Sequence, residues 1–554
     1  MGKKIHVLRG ADVALAGIAA LALGLSLLHG LGQPLLWADE AETAMFGQRV
    51  REHGYPKVHG QRNVVYQFGP NIALGVKEGP DAYIGTTWGQ FYYATLGLWW
   101  ADGVADFASR TARLRLPFAL AGALGIGLWL WALLPVFARE PERAWRFAAA
   151  FGLLATLSVS LVLHLREVRY YALVVFLAGA LCREHLRYAV FRAGSFARWA
   201  TASILLLFAL FHVFFQAYFT VVLFLSAERL WALWQRRTTW RDLVPVAVAG
   251  ALVAPFVAWF EMFENAAEFS RSFGFGPADY LANLWSIVAH LLRHEFLAPA
   301  LVVRVAAWQL RAGSRESRAI AAGLLLFSAG TVAFGCLNPL ALERYFIVSS
   351  PALTGAFLLD AFALVDAAGR RASRRRWACT AAAAGIALLT LALRVPGLPA
   401  VEGRLAELAE PARGPLDYAI PFLAERYEHP EQLVIATNYE EYAFMYYLDS
   451  HVIVGLSLNN LRRERDLAPD VVIPRRRWPR SLRALGPFLR DGDWEEVRLP
   501  VADVHHNNVP ALSASRFIPA PHRFVTPASE VPDEQLLLYL RRSSKNSTGT
   551  SRRP

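Results

Sequence analysis

The octapeptide WADEAETA, Trp37 to Ala44, sets Asp39, Glu40 and Glu42 directly after the first long apolar run, Ala11 to Leu36. Carboxylates this close to a membrane span mark chemistry at a bilayer surface. Water reaches such a group from one side only, so Asp39 and Glu40 are suited to act as general base toward a hydroxyl acceptor. The plainer reading is a helix start, because acids are favoured in the first turn of a helix such as AETAMFGQRVREHG. Glu42 is assigned to that role, and Asp39 and Glu40 to the chemistry.

A second acid, Glu167, stands in HLREVRYYAL, a short loop that parity places on the same side as Asp39. Paired carboxylates facing one cavity bind a cation or divide positioning from deprotonation; the competing reading is a local ion pair among Arg166, Glu167 and Arg169. Metal use is left open, with Asp39 and Glu167 as the ligands if there is one. Arg344, in LERYFIVSSPAL with Tyr345 and Phe346 beside it, offers a planar fork for a phosphate. Its alternatives are snorkelling to the headgroups and a pair with Glu343. Lys77, Arg62, Arg169, Arg271 and Arg293 are weaker candidates for the phosphate. His212 reads as a satisfied interface histidine, and Cys182, Cys336 and Cys379 lack metal-ligand spacing.

The elements that must carry these residues are membrane spans. Of 554 residues 55% are apolar and 12% aromatic, and mean hydropathy is positive, which no water-soluble chain of this length would show. Eleven spans are expected at about 11–31, 114–136, 147–163, 170–186, 199–214, 216–234, 243–260, 296–310, 319–337, 345–366 and 377–395. The run at 296–310 is short and holds Arg304. Trp88 to Phe107, broken by glycines and acids, is read as a membrane-skimming helix. With the N-terminus inside, one set of short loops collects Arg139, Arg143, Arg146, Arg183, Arg187, Arg192, Arg198, Arg236, Arg237, Arg241, Arg311, Arg315, Arg318 and the run from Arg370 to Arg376. That bias fixes orientation. The net charge of +12 is therefore topogenic, and no nucleic-acid surface is expected. The first span lacks a small-residue cleavage site and reads as an uncleaved anchor.

This divides the chain into a membrane domain, 1–395, whose first external loop, 33–113, is too long for a connector; a soluble α/β domain outside the membrane, 396–540; and a disordered tail, 541–554. In the second of these, QLVIATN and HVIVGL read as strands around the helix EEYAFMYYL, and DVVIP adds a further strand. The sequon at Asn546 is short enough to recur by chance.

An anchor span followed by Asp-Glu, the aromatic segment WGQFYYATLGLWW, then ARLRLPFALAGALGIGL, EVRYYAL and ERYFIVSSPAL together resemble the class C (GT-C) membrane glycosyltransferases. The nearest branch is the bacterial one related to protein O-mannosyltransferases and lipid A aminoarabinose transferases. The resemblance covers roughly 30–180 and 335–365. It implies a polytopic helical fold of about eleven spans with an extracytoplasmic α/β domain, and an inverting transfer of a hexosyl or pentosyl group from a polyprenyl-phosphate donor to a lipid, glycan or protein acceptor of the cell envelope. It implies Asp39 as base with Glu40 beside it, and Glu167, where many relatives have Asp, as the second acid. The phosphate then falls on Arg344 and, less directly, Arg169. The expected location is the inner membrane with the soluble domain periplasmic. A lipid phosphate is already a good leaving group, so no nucleotide-binding signature is needed, and neither GxxxxGK[ST] nor a dinucleotide fingerprint is present. The competing classes are a lipid-linked glycan transporter or flippase, a polysaccharide ligase or polymerase, and a membrane scaffold.

Overall fold

The computed structural model describes residues 2–60, 62–65, 81–371, 375–395, 398–411, 413–456, 464, 466–476, 478, 481–503, 511–512, 517–518 and 534–542. Lys77, the sequon and the last twelve residues of the expected tail lie outside them. The chain separates into two compact units, Met1–Gly32 with Ile84–Gly103 and Ser109–Pro411, and Gln33–Tyr83 with Val104–Ala108 and Ala412–Pro554.

The first unit is helical throughout. It contains α1 (Gly2–Leu28), and the second unit supplies α2 (Ala38–His53). Then follow α3 (Gly89–Ala101), α4 (Phe107–Leu133), α5 (Pro141–Leu157), α6 (Val159–His164), α7 (Tyr171–His185), α8 (Phe196–Val213), α9 (Phe215–Trp234) and α10 (Val244–Trp259). The series continues with α11 (Met262–Ser272), α12 (Pro277–His294), α13 (Leu297–Gln309), α14 (Arg315–Gly335), α15 (Ser349–Arg371), α16 (Arg375–Arg394) and α17 (Leu398–Ala409). Helix is what an apolar chain must adopt in lipid, where every backbone group needs an internal partner.

Each expected span falls on these helices, with 147–163 divided between α5 and α6. Among the described residues eight are long and apolar enough to cross a membrane, and α12 with α13, bent by 79°, make up to nine. The remaining two, α5 and α7, have 17 and 15 residues. Helix α3, with 13 residues, is about 20 Å long and cannot span the roughly 30 Å of hydrocarbon. Arg304, which weakens the eighth span on paper, is paired with Asp360 of α15 at 3.1 Å. This pair lies within the spans, between α13 and α15.

Two helix breaks meet at buried polar groups. Ser158, between α5 and α6, donates to Glu295 at 2.8 Å, and Glu295 is the break between α12 and α13. Arg394 caps the end of α5 by donating to the Leu157 carbonyl at 3.2 Å. Elsewhere small residues let backbones close up, as where Gly125 and Gly179 join α4 to α7.

The second unit holds α18 (Pro415–Arg426), β1 (Val434–Thr437), α19 (Glu441–Leu448), β2 (His451–Val454), β3 (Val471–Ile473), α20 (Gly486–Asp491), β4 (Trp494–Ala502), β5 (Ala511–Leu512), β6 (Phe517–Ile518) and β7 (Gln535–Arg541). The main sheet has the order β2-β1-β3-β7-β4; β2, β1 and β3 are parallel, and β7 pairs antiparallel with β3 and β4. Helix α19 supplies the crossover that parallel β1 and β2 require. The β-α-β pattern and the DVVIP strand are thus where the sequence put them. The loop Gln33–Tyr83, expected with the membrane domain, groups instead with this sheet. Asn63 explains why: it donates to the Ser450 carbonyl at 2.9 Å and accepts from the Val452 amide at 2.8 Å.

Candidate active site

Asp39 and Glu40 lie in the first turn of α2, where the exposed amides of a helix start favour negative charge. Their surroundings differ. Glu40 is wholly buried and Glu42 is 5% exposed, whereas Asp39 is only half-buried, so Asp39 is the acid of the three that solvent or an acceptor can reach. Glu42 is therefore a packed side chain rather than a solvated charge at the helix start.

The chain entering α2 is fixed from the sheet side of the same unit. The Leu35 amide donates to Asp417 Oδ1 at 3.0 Å and the Leu36 amide to the Tyr447 hydroxyl at 3.0 Å. Trp37 packs on Tyr439 and Trp478, whose rings stack 4.2 Å apart at 12°. Tyr439 leads out of β1, at the carboxyl end of the parallel strands. Beneath it Arg475 bonds to Glu440 and, at 2.7 Å, to Asp503, all three buried. Burial pushes the Glu440 carboxyl above its ordinary range, against the pull of Arg475. Arg62, a weaker phosphate candidate, pairs with exposed Asp449 at 3.1 Å.

The other predicted residues belong to the helical unit. His164 closes α6, and its Nδ1 is 3.3 Å from Glu167 Oε1. Arg166 donates to the Gly30 carbonyl at 2.6 Å, and Arg169 folds back so that its amide donates to the Glu167 carbonyl at 2.7 Å. The Arg169 guanidinium lies 5.6 Å from the Tyr170 ring. Tyr170 stacks on Phe214 at 4.1 Å, and Tyr345 is 5.8 Å from Phe214 and 6.4 Å from Tyr170. Arg344 is 5.8 Å from the Tyr345 ring and only 5% exposed, which is not the position of a snorkelling arginine. Its charge acts on His164, Tyr170 and Tyr171, and those of Arg169 and Glu167 act on Tyr171. Burial raises the neighbouring Glu343 carboxyl, while its own amide and Arg344 draw it back.

Glu167, Arg169, Arg344 and Tyr345 thus come together in one nest of two guanidiniums, one carboxylate and aromatic rings. His164, Tyr170, Tyr171 and Phe214 complete it and were not foreseen. The i, i+3 spacing of His164 and Glu167 was the available signal. Arg271 and Arg293 are exposed and take no part, and His212 is ringed by Phe208, Phe211 and Phe256. Among the described residues no group of three or more His, Cys, Asp or Glu side chains is placed to hold a metal ion, and the three cysteines are free.

The chain superimposes over nearly its whole length on a solved structure. The crystal structure of ArnT from Cupriavidus metallidurans bound to undecaprenyl phosphate matches with a TM-score of 0.51 at 14% identity, covering 96% of this chain and 98% of that one. The fold is the one that this ArnT structure shows. The apo form of ArnT also matches (TM-score 0.49, 17% identity, 88% and 96% covered), as does the Archaeoglobus fulgidus oligosaccharyltransferase in complex with Zn and sulfate (0.44, 12%, 83% and 67%). No family model and no curated protein matches the chain. The expected architecture, a multi-pass helical membrane protein with a small C-terminal sheet, is the one observed.

Proposed function

We propose that the protein transfers a sugar from a polyprenyl-phosphate carrier to an acceptor outside the cytoplasmic membrane, by inverting displacement. The observation that carries this reading is the buried nest around Arg344, built on the fold shared with an ArnT bound to undecaprenyl phosphate. Two guanidiniums beside aromatic rings suit a lipid phosphate, since fixed donors stabilise the departing charge without reorganising. Asp39, the accessible acid of its cluster, takes the acceptor proton as the hydroxyl attacks the anomeric carbon and the phosphate leaves. Glu40 supports it, and Glu167, held by His164, positions the donor. Use of a divalent cation belongs to the same proposal. The Lys/Arg loop bias supports an inner-membrane protein with its N-terminus inside and its soluble domain outside.

Asp39→Asn keeps size and hydrogen bonding but cannot accept a proton at neutral pH, so turnover should fall on the order of 100- to 10,000-fold while donor binding survives. Transfer from a labelled polyprenyl-phosphate sugar in proteoliposomes, with binding measured on the same preparations, tests this. Near-normal turnover would remove Asp39 as base. Turnover unchanged after chelator treatment would remove the cation. A flippase reading draws support from Arg304 and Asp360 within the spans, but the acid is 1% exposed and doubly bonded, which suits a structural tie.

A further inference from the structure

The parallel part of the sheet contains the place where open α/β sheets take their ligands. Strand β1 is flanked by β2 on one side and β3 on the other. The chain leaving β1 turns through α19 to β2, and the chain leaving β3 passes through α20 to β4, at the opposite edge of the sheet. Where two connections part in this way, a crevice opens at the carboxyl ends of the strands, and ligands of such sheets bind there.

Here the chain itself fills that position. Asn438, the first residue after β1, ties the two exits together. Its side-chain amide donates to the Arg475 carbonyl at 3.2 Å and the Trp478 carbonyl at 2.7 Å, and its oxygen accepts from the Arg475 amide at 2.8 Å. The Tyr439 and Trp478 rings that follow the two strands stack on each other and pack with the Trp37 indole, which is 2% exposed. Leu456, from the exit of β2, packs on the same cluster, and its amide is held by Glu441 at 2.9 Å. Three strand exits thus converge on one indole.

Trp37 is also where α2 begins. It stands at the N-cap, which favours Ser, Thr, Asp or Asn because their side chains bond the free amides of the first turn, yet the indole makes no such bond. Local preference yields here to a distant contact, the pattern expected where position matters to function. The Trp37 carbonyl accepts from the Ala41 amide at 2.9 Å and closes the turn that carries Asp39. One residue earlier, the Tyr447 hydroxyl holds the Leu36 amide.

We propose that Trp37 is a positioning residue, which uses the switch-point crevice of the soluble sheet as a mount for Asp39. The sheet then holds the base of the reaction where related architectures hold a separate ligand. This inference rests on Asp39 being the base. Misplacing a reacting group by about 1 Å costs on the order of 100-fold in rate, so an anchor two residues away governs turnover without touching substrate.

The test measures transfer from a labelled polyprenyl-phosphate sugar by the full-length protein in proteoliposomes, with undecaprenyl phosphate binding measured on the same preparations. Trp37→Ala should lower kcat roughly 10- to 100-fold and leave lipid binding as in the wild type. Trp37→Phe, which keeps a ring for the cluster, should recover most of the loss. Trp37→Ala combined with Asp39→Asn should turn over no more slowly than Asp39→Asn alone, because both changes act through one group. Losses that multiply in the double variant would overturn the proposal. A slow Asp39→Asn beside a folded Trp37→Ala of wild-type kcat would overturn the positioning role alone, whereas wild-type turnover in Asp39→Asn would overturn the base assignment and this proposal with it. If Trp37→Ala does not fold, Tyr447→Phe decides: a severalfold fall in kcat with lipid binding unchanged supports the mount, and unchanged kcat rejects it.

Discussion

Arg344 combines burial with a fixed charge, and its planar fork is what a lysine lacks. Arg344→Lys should keep charge and fold yet weaken donor use, lowering kcat/KM by roughly 10- to 100-fold, mostly through KM. Donor kinetics unchanged in both Arg344→Lys and Arg344→Ala would assign it to packing alone. A different outcome is expected at Arg475, which neutralises two buried acids. Arg475→Met should cost about 3–5 kcal/mol by leaving those charges unpaired. Without its cation, Glu440 should titrate still higher in the folded state than unfolded, so folding then carries a bound proton. The variant should be most stable at low pH and lose stability, relative to wild type, as pH rises from the ordinary glutamate range through the raised one. A thermal-unfolding difference that is flat between pH 4 and 8 would contradict this. At this scale Asp39, Glu167 and Arg344 could be picked out because a charge beside an apolar run is conspicuous. His164, Tyr170 and Phe214 could not, since a lone histidine or aromatic ring at an interface is ordinary, and only three-dimensional packing makes these a nest.

Helices were legible because long apolar runs leave the backbone no other choice, but their breaks were not. Ser158 interrupts a run whose composition barely changes, and its hydroxyl is satisfied by Glu295, 137 residues away. The strands β1 to β3 announced themselves by β-branched residues between turn signals. Strand β4, WEEVRLPVA, carries acids and a proline at an edge, so its membership depends on β7 pairing with it. The close approach of α4 and α7 gives a sharp test of packing. A Cβ at Gly125 would lie 2.8 Å from the Phe176 amide nitrogen, and one at Gly179 would lie 2.9 Å from the Trp129 side chain. Backbone cannot yield as a flexible side chain does, so Gly125→Val should cost about 1–3 kcal/mol and lower the unfolding temperature, whereas Gly127→Val, with nothing within 4 Å, should not. Equal melting of the two variants would show that α4 and α7 do not pack as described.

For the whole molecule, orientation is the property most open to direct test. Cysteines placed at exposed Arg271 and Glu428 should react with an impermeant thiol reagent from outside the cell, and cysteines at exposed Arg139 and Arg311 should not. The background would lack Cys182, Cys336 and Cys379, with lysed controls showing that every site can react. Labelling of Arg139Cys from outside would invert the topology. Glu42, Glu167 and Arg344 would be poor probes, being 5%, 6% and 5% exposed. The division into units was only partly legible, because nothing in the sequence near Asn63 announces that its partners are Ser450 and Val452. Those hydrogen bonds also set a schedule for synthesis. Asn63 and Val452 are 389 positions apart, and at 5–20 residues per second a nascent chain needs roughly 20–80 s to make the second after the first. Until then the segment carrying Asp39 has left the ribosome without the strands it folds against. It must wait through the insertion of nearly every span, so the acid that is proposed to do the chemistry is among the first residues made and among the last to reach its native surroundings.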